Sequence, residues 1–312
     1  MNHWALFRRS WSILWQNKTL WVFGLLAALG GGFSFNLRVG EVRPMTDLPL
    51  GARELLRSIL SASDFTTLIG IGLAIGVVTF VLATFAQAAL ISMVNAIAAG
   101  QPVSVGDGVQ AGARRFLPLL LTRFLLALPL LIIGILAAQS FFSAFSSLLT
   151  ESDDISFGLG ELGAVTALGG LAFVIGLLVS AVSIGAERAV VLEEMPVWPA
   201  IAHGWRLLWS KFADYFSIAL IFFVLAILAG IVFVCALLPI LFVSVIPSLD
   251  QLRSGINVFT FTTNIAGPAA LILILVGLII GSLVAVFTSS VWTLAYSEWR
   301  ASATAAETES TV

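Results

Sequence analysis

Charge is what this chain most lacks. Of its 312 residues only 10% are Asp, Glu, Lys or Arg, against 59% hydrophobic, and the mean hydropathy is +1.06. Soluble domains carry about 25% charged residues. A soluble fold of this composition has too little polar surface to cover itself, so the bilayer is the solvent that fits. Cysteine is nearly absent: Cys235 is the single one. That excludes an intramolecular disulfide and a cysteine-based metal cluster. His3 and His203 are the two histidines, too few for the closely spaced ligands a metal site wants. A net charge of −2 makes no case for nucleic acid as a partner.

What the chain does have is long uncharged runs. They lie between Lys18 and Arg38, Asp64 and Asp107, Arg123 and Glu151, Glu161 and Glu187, Asp214 and Asp250, and Arg253 and Glu298. A spanning helix needs about 20 apolar residues. The spacing predicts an all-α, polytopic transmembrane bundle of six spans, near 19–36, 66–98, 116–142, 162–190, 212–245 and 265–297. The second run is long enough to tempt a reader to two helices. Its breaker, Ala98–Pro102, comes so late that one long helix is expected. The leading segment, with Trp4, Trp11 and Trp15, is long and aromatic for a signal peptide, and cleavage is not expected. With both termini inside, ten basic residues fall on the cytoplasmic side and five outside, which the positive-inside rule favours for a multi-pass protein of the cell membrane. Gly51–Ala62 is expected to form a short surface helix, and the small polar tail 301–312 to be disordered.

A phrase recurs in this pattern. Aligning Ser10 with Gly204 sets Trp11 on Trp205, Leu14 on Leu208, Trp15 on Trp209 and Trp21 on Tyr215. A fainter copy begins at Pro102, where Arg114 meets Arg206. The single transmembrane domain 1–300 therefore reads as three repeat units, near 1–100, 101–195 and 196–300, each an amphipathic cytoplasmic segment, a helix out and a helix back. On a helical wheel Trp198, Ile201, Trp205, Leu208, Trp209 and Phe212 share one arc, with His203, Arg206, Ser210 and Asp214 opposite. Indole rings favour the headgroup level, so Trp11, Trp15, Trp198, Trp205 and Trp209 are expected as interfacial anchors. Gly72 and Gly76, Gly169, Gly170 and Gly176, and Gly277 and Gly281 mark the second, fourth and sixth spans with small residues. Small residues let helices approach closely, which places those spans at the centre and the first, third and fifth outside.

The Trp-rich leader and the stretch "ERAVVLEEMPVWPAIAHGWRLLWSKFADYFSIAL" (187–220) resemble the six-helix prokaryotic membrane proteins related to the membrane domain that accompanies glycerophosphodiester phosphodiesterases. The resemblance implies a six-helix membrane domain. It implies no catalytic residues, because that chemistry belongs to a separate soluble domain.

Ionisable residues inside spans are the default place to seek function. Arg123 sits a turn or two into the third span, where it either snorkels to the inner headgroups or pairs with an acid on another helix. Glu187 and Arg188 close the fourth span, within reach of Lys211 or Asp214. With His203 and Arg206 they are the weak functional candidates. No catalytic, cofactor or metal residues are assigned. Glu193 and Glu194 are similar to the paired glutamates of CAAX-type intramembrane proteases, but Trp198 stands where those carry Arg, and no His pair follows. The expected function is that of a non-enzymatic membrane protein, a scaffold or accessory subunit contacting lipids or a transporter. Its partners are the lipid bilayer and another membrane protein or cytoplasmic subunit. The alternative is a permease driven by a separate ATPase, and third an intramembrane enzyme. A polar-lined central cavity would favour the permease, and the spans offer few residues to line one.

Overall fold

The computed structural model describes residues 3–30, 62–149, 155–253 and 258–310. These form eight helices and no strand: α1 (His3–Gln16), α2 (Thr19–Gly30), α3 (Ala62–Ala98), α4 (Val105–Leu149), α5 (Ile155–Leu192), α6 (Val197–Ser210), α7 (Phe212–Arg253) and α8 (Val258–Ser310). Five segments are long and apolar enough to cross a membrane: Gly70–Ala98, Val105–Ser140, Gly163–Leu192, Phe212–Ile231 and Leu275–Ser302. The expected first span is the exception. α2 has twelve residues, about 18 Å at 1.5 Å per residue, which is short of a bilayer's hydrocarbon thickness. Positions 31–36 of that span, and Gly51–Ser61 of the expected surface helix, lie outside the described residues.

Local chemistry sets the helix ends. α3 runs unbroken through the stretch that invited two helices, and stops where Gly100 takes a left-handed φ of +77°. The Gly100 amide then donates to the Ile97 carbonyl at 2.9 Å and the Gln101 amide to Ala96 at 2.9 Å. That is a Schellman close, which satisfies carbonyls the helix leaves free. α4 opens on a capping box: the Asp107 amide donates to Ser104 Oγ at 3.2 Å, and the Ser104 amide donates to Asp107 Oδ2 at 2.9 Å. Pro118 and Pro129 both lie inside α4. α8 starts at Val258, ahead of the expected span, and Gly267–Pro268 lies within it. α8 also runs on through Ser310. The tail expected to be disordered is helical there, its alanines at 301, 303, 305 and 306 outweighing its polar character.

Contacts gather the helices at one end. Arg9 Nη2 donates to the Ala98 carbonyl at 2.9 Å, joining α1 to the end of α3. Trp21 Nε1 donates to Leu14 O at 2.9 Å, folding α2 back on α1. Tyr215, at the start of α7, stacks on Trp299 of α8 with ring centroids 4.9 Å apart. Leu20, Phe23, Leu90, Met93, Val94, Ile218, Val291 and Ala295 are buried in this end. Among the described residues, α7 is held here. Tyr215 and Ile218 are buried, Phe222 meets Phe7 and Phe287, and from Phe223 to Ile231 every residue is exposed.

The glycines correct the expected arrangement of spans. A Cβ added at Gly72, Gly76, Gly169 or Gly170 meets nothing within 4 Å. Among the described residues these glycines form no seam. Gly281 of the sixth span does come close, a Cβ there standing 3.2 Å from Ala28 Cβ, but its neighbour is α2, expected on the outside. A Cβ at Gly24 would stand 2.6 Å from Val286 Cγ2 and 2.7 Å from the Ser282 carbonyl of α8, and one at Gly30 would stand 2.5 Å from the Thr79 carbonyl of α3. α2 is thus a wedge between α3 and α8, and Ser282 Oγ donates to the Trp21 carbonyl at 3.0 Å across the same contact. α3 does touch α5 and α8, but α5 and α8 meet only sparsely.

Candidate functional site

Where α5 and α8 stand apart, an open cavity of about 560 Å³ forms. Five helices wall it. α2 gives Ala27, Ala28 and Gly30, and α3 gives Ala83 and Gln87. α4 gives Arg123. α5 gives Ser180, Ser183, Ile184, Glu187 and Arg188. α8 gives Gly277, Gly281, Val284, Ala285, Thr288, Ser289 and Trp292. Polar groups crowd the end near Trp292, while the wall from Ala27 to Gly281 is mostly small and apolar. The cavity is polar at one end and apolar over most of its lining, so it meets only in part the description of a polar-lined cavity.

The sequence candidates separate into two places. Arg123 Nε donates to Glu187 Oε1 at 2.7 Å, and the Glu187 side chain is only 7% exposed. Of the two fates expected for Arg123, pairing is the one observed. Its partner is 64 positions away, on the neighbouring helix. Glu187 and Arg188 do not pair with Lys211 or Asp214. Asp214 instead accepts from Trp299 Nε1 at 3.2 Å and lies 3.9 Å from His3 Nε2. Arg188 is 2% exposed. Its Nη1 donates to the Ile184 carbonyl at 2.8 Å, and its Nε has no partner. Among the described residues no carboxylate forms an ion pair with it. An unpaired buried guanidinium costs several kcal/mol, roughly, so a group that supplies negative charge here is strongly favoured.

His203 belongs to a second cluster, around the turn between α5 and α6. Tyr296 Oη donates to Glu193 Oε1 at 2.7 Å and stands 3.2 Å from His203 Nε2. Arg300 Nε is 3.8 Å from the same Glu193 oxygen. Glu194 turns the other way to pair with Arg115 of α4. It does so at a φ of +58°, a left-handed conformation that costs a non-glycine residue about 1–3 kcal/mol. The two glutamates therefore pin the turn to α8 on one side and to α4 on the other. That is an architectural job. Arg206 is exposed on α6, one turn beyond His203.

The anchors are arranged alike on the two short helices, each of 14 residues. Trp11, Trp15, Trp198, Trp205 and Trp209 are exposed, while Leu14 and Leu208 are buried. The rings of Trp11 and Trp15 lie 5.8 Å apart and edge-on, as do those of Trp205 and Trp209 at 6.1 Å. The face that α6 buries is not the Trp arc. Ala200, Gly204 and Leu208 face inward, and a Cβ at Gly204 would stand 2.6 Å from the Val182 carbonyl and 2.8 Å from the Ala186 amide. Leu208, placed on the Trp arc by the wheel, belongs to that seam.

The sequence model of a domain of unknown function, DUF7847, matches residues 1–299. The chain belongs to the DUF7847 family. The match takes in both Trp-bearing helices and every residue that lines the cavity. No curated protein and no solved structure matches the chain.

Sequence reasoning missed Tyr296, Ser289 and Trp292. A signal was present: Thr288, Ser289, Ser290 and Thr293 put four hydroxyls into six positions of an apolar helix. Polar residues inside a span mark functional or packing sites.

Proposed function

We propose that this protein is a non-enzymatic integral membrane protein, a scaffold or accessory subunit that contacts lipid through the cavity between α2, α3, α4, α5 and α8. One observation carries the reading: a cavity with Arg123, Glu187 and Arg188 at one end and small apolar walls at the other, set among helices whose outer faces are apolar. Such a space suits an amphiphile. Its groups are those that bind and orient, and its one lining carboxylate is committed to Arg123. The wider reading has six spans in three hairpins and both termini in the cytoplasm, in the manner of the membrane domain that accompanies glycerophosphodiester phosphodiesterases. What supports it is the likeness of α1 and α6, each turning within two residues into an apolar helix, and the excess of basic residues at that end. The exposed indoles then seat both short helices at the inner headgroups.

The permease reading gains from the same cavity, since a polar-lined space between helices is what a transported solute needs. Gentle purification from the native membrane, with mass spectrometry of co-purifying proteins and lipids, separates the two. One retained lipid class at stoichiometric level is the expected result. A stoichiometric ATPase subunit would replace the scaffold with the permease. A preparation carrying neither would remove the lipid-contact reading.

A further inference from the structure

The geometry points to Arg188 as an oxyanion-binding residue, with Ser289 as its hydroxyl partner in the cavity. The occupant is the anionic head of an amphiphile, a phosphate monoester or a carboxylate, with its chain lying along the small-residue wall. This deepens the lipid-contact reading and rests on it for the origin of the occupant.

Three independent features converge. The first is charge. The cavity is lined by two guanidinium groups and one carboxylate, and the carboxylate is bonded to Arg123. One positive charge is therefore in excess, and Arg188 is buried, so bulk water does not screen it. The second is unspent hydrogen bonding. Arg188 Nε and Ser289 Oγ are both buried, both without a partner, and both on residues that line the cavity. Buried donors in a folded chain nearly always have partners. The two orphans stand on different walls of the same cavity, Arg188 on α5 and Ser289 on α8, where one acceptor between them would serve both, and the guanidinium fork suits an oxyanion. The third is shape. Along α8 the lining runs from Gly277 to Trp292, about 22 Å at 1.5 Å per residue. The polar groups sit at the Trp292 end. At the other end the lining is Gly277, Gly281 and Ala28, small and apolar. A free inorganic anion would use the head site alone, whereas an amphiphile would use both.

The test is isothermal titration of the full-length protein in neutral maltoside micelles with three probes: dodecyl phosphate, dodecylphosphocholine and inorganic phosphate. Dodecyl phosphate is expected to saturate one site, at least about tenfold tighter than dodecylphosphocholine, whose quaternary ammonium opposes Arg188. Arg188→Gln is expected to lose at least about tenfold in dodecyl phosphate affinity. Ser289→Ala guards against a folding artefact. It removes a buried hydroxyl that has no partner, so the empty protein should melt no lower, yet its affinity for dodecyl phosphate should fall about threefold. A merely structural Ser289 would not weaken binding. Inorganic phosphate binding as tightly as dodecyl phosphate would support the anion site with a free anion as its source. Equal affinity for the two amphiphiles, unchanged in both variants, would overturn the assignment. The titration uses no native lipid, so its failure removes this site alone. A lipid-free native preparation would instead remove the functional reading.

Discussion

The two ends of this molecule are built on different terms. At the end that carries α1 and α6, the chain packs against itself. Phe23, Leu90, Val94, Val291 and Ala295 are buried. Gly24, Gly112, Gly185 and Gly204 each let a neighbouring helix come close. At the other end, the residues from Ile71 to Val78, Leu171 to Leu178 and Phe223 to Ile231 are largely exposed, although nearly all are apolar. Exposed apolar surface on this scale is stable only where the solvent is hydrocarbon. Helix association in lipid has no hydrophobic driving force and relies on close packing and hydrogen bonds. Among the described residues the molecule concentrates both at one end, and the ion pairs described lie there too.

The contrast can be broken most sharply with two matched substitutions. Gly204→Leu drives a side chain into the backbone of α5 and is expected to cost at least about 3 kcal/mol, or to abolish folded protein. Gly72→Leu meets open space and is expected to stay within about 0.5 kcal/mol of the parent. Thermal unfolding in detergent, followed by circular dichroism, reads both. Equal damage from the two would erase the distinction between the ends. Next in size is Glu187→Leu, which strips the half-buried Arg123 of its partner and removes the carboxylate beside the buried Arg188. A loss of about 3–5 kcal/mol is expected, with most of it recovered in the Arg123→Leu/Glu187→Leu double variant, because removing both partners leaves one cation fewer in the cavity. Single and double variants that are equally unstable would show that the pair is not what matters there. Tyr296→Phe removes one hydrogen bond to Glu193 and is expected to cost about 1–2 kcal/mol. No change in melting would show that Glu193 holds the turn through Arg300 instead. Smallest is Trp209→Ala. Its ring is 61% exposed, so melting in detergent should shift by less than about 0.5 kcal/mol in free energy. A large shift would mean that the indole packs against protein.

How far the sequence reached follows the same division. Composition and run length gave the all-helical class, the long apolar helices, the unbroken α3 and its stop at Gly100, because each of these is a local property. The Trp phrases located two short helices, because the next charged or breaking residue lies close by. What escaped was set by partners distant in the chain. Gly72 and Gly76 have the spacing of a packing motif, but spacing does not say whether a helix or lipid lies opposite. Gly24 and Gly30, which do pack, sit in a helix whose short length gave no hint that it is a wedge. Arg123 and Glu187 were both singled out, yet their pairing depends on how α4 lies against α5. The cavity escaped for the same reason. It exists because α2 holds α3 and α8 together while α5 stands off from α8, and no stretch of sequence carries that information.

The measurement that tests this two-ended account most directly is photolabelling in bilayers that contain a lipid with a diazirine on its acyl chain, followed by residue-level mass spectrometry. The account predicts heavy labelling of Ile71–Val78, Leu171–Leu178 and Phe223–Ile231, and none at Leu90–Val94 or Val291–Ala295. Equal labelling of the two sets would contradict it, since the buried end would then be as open to lipid as the rest.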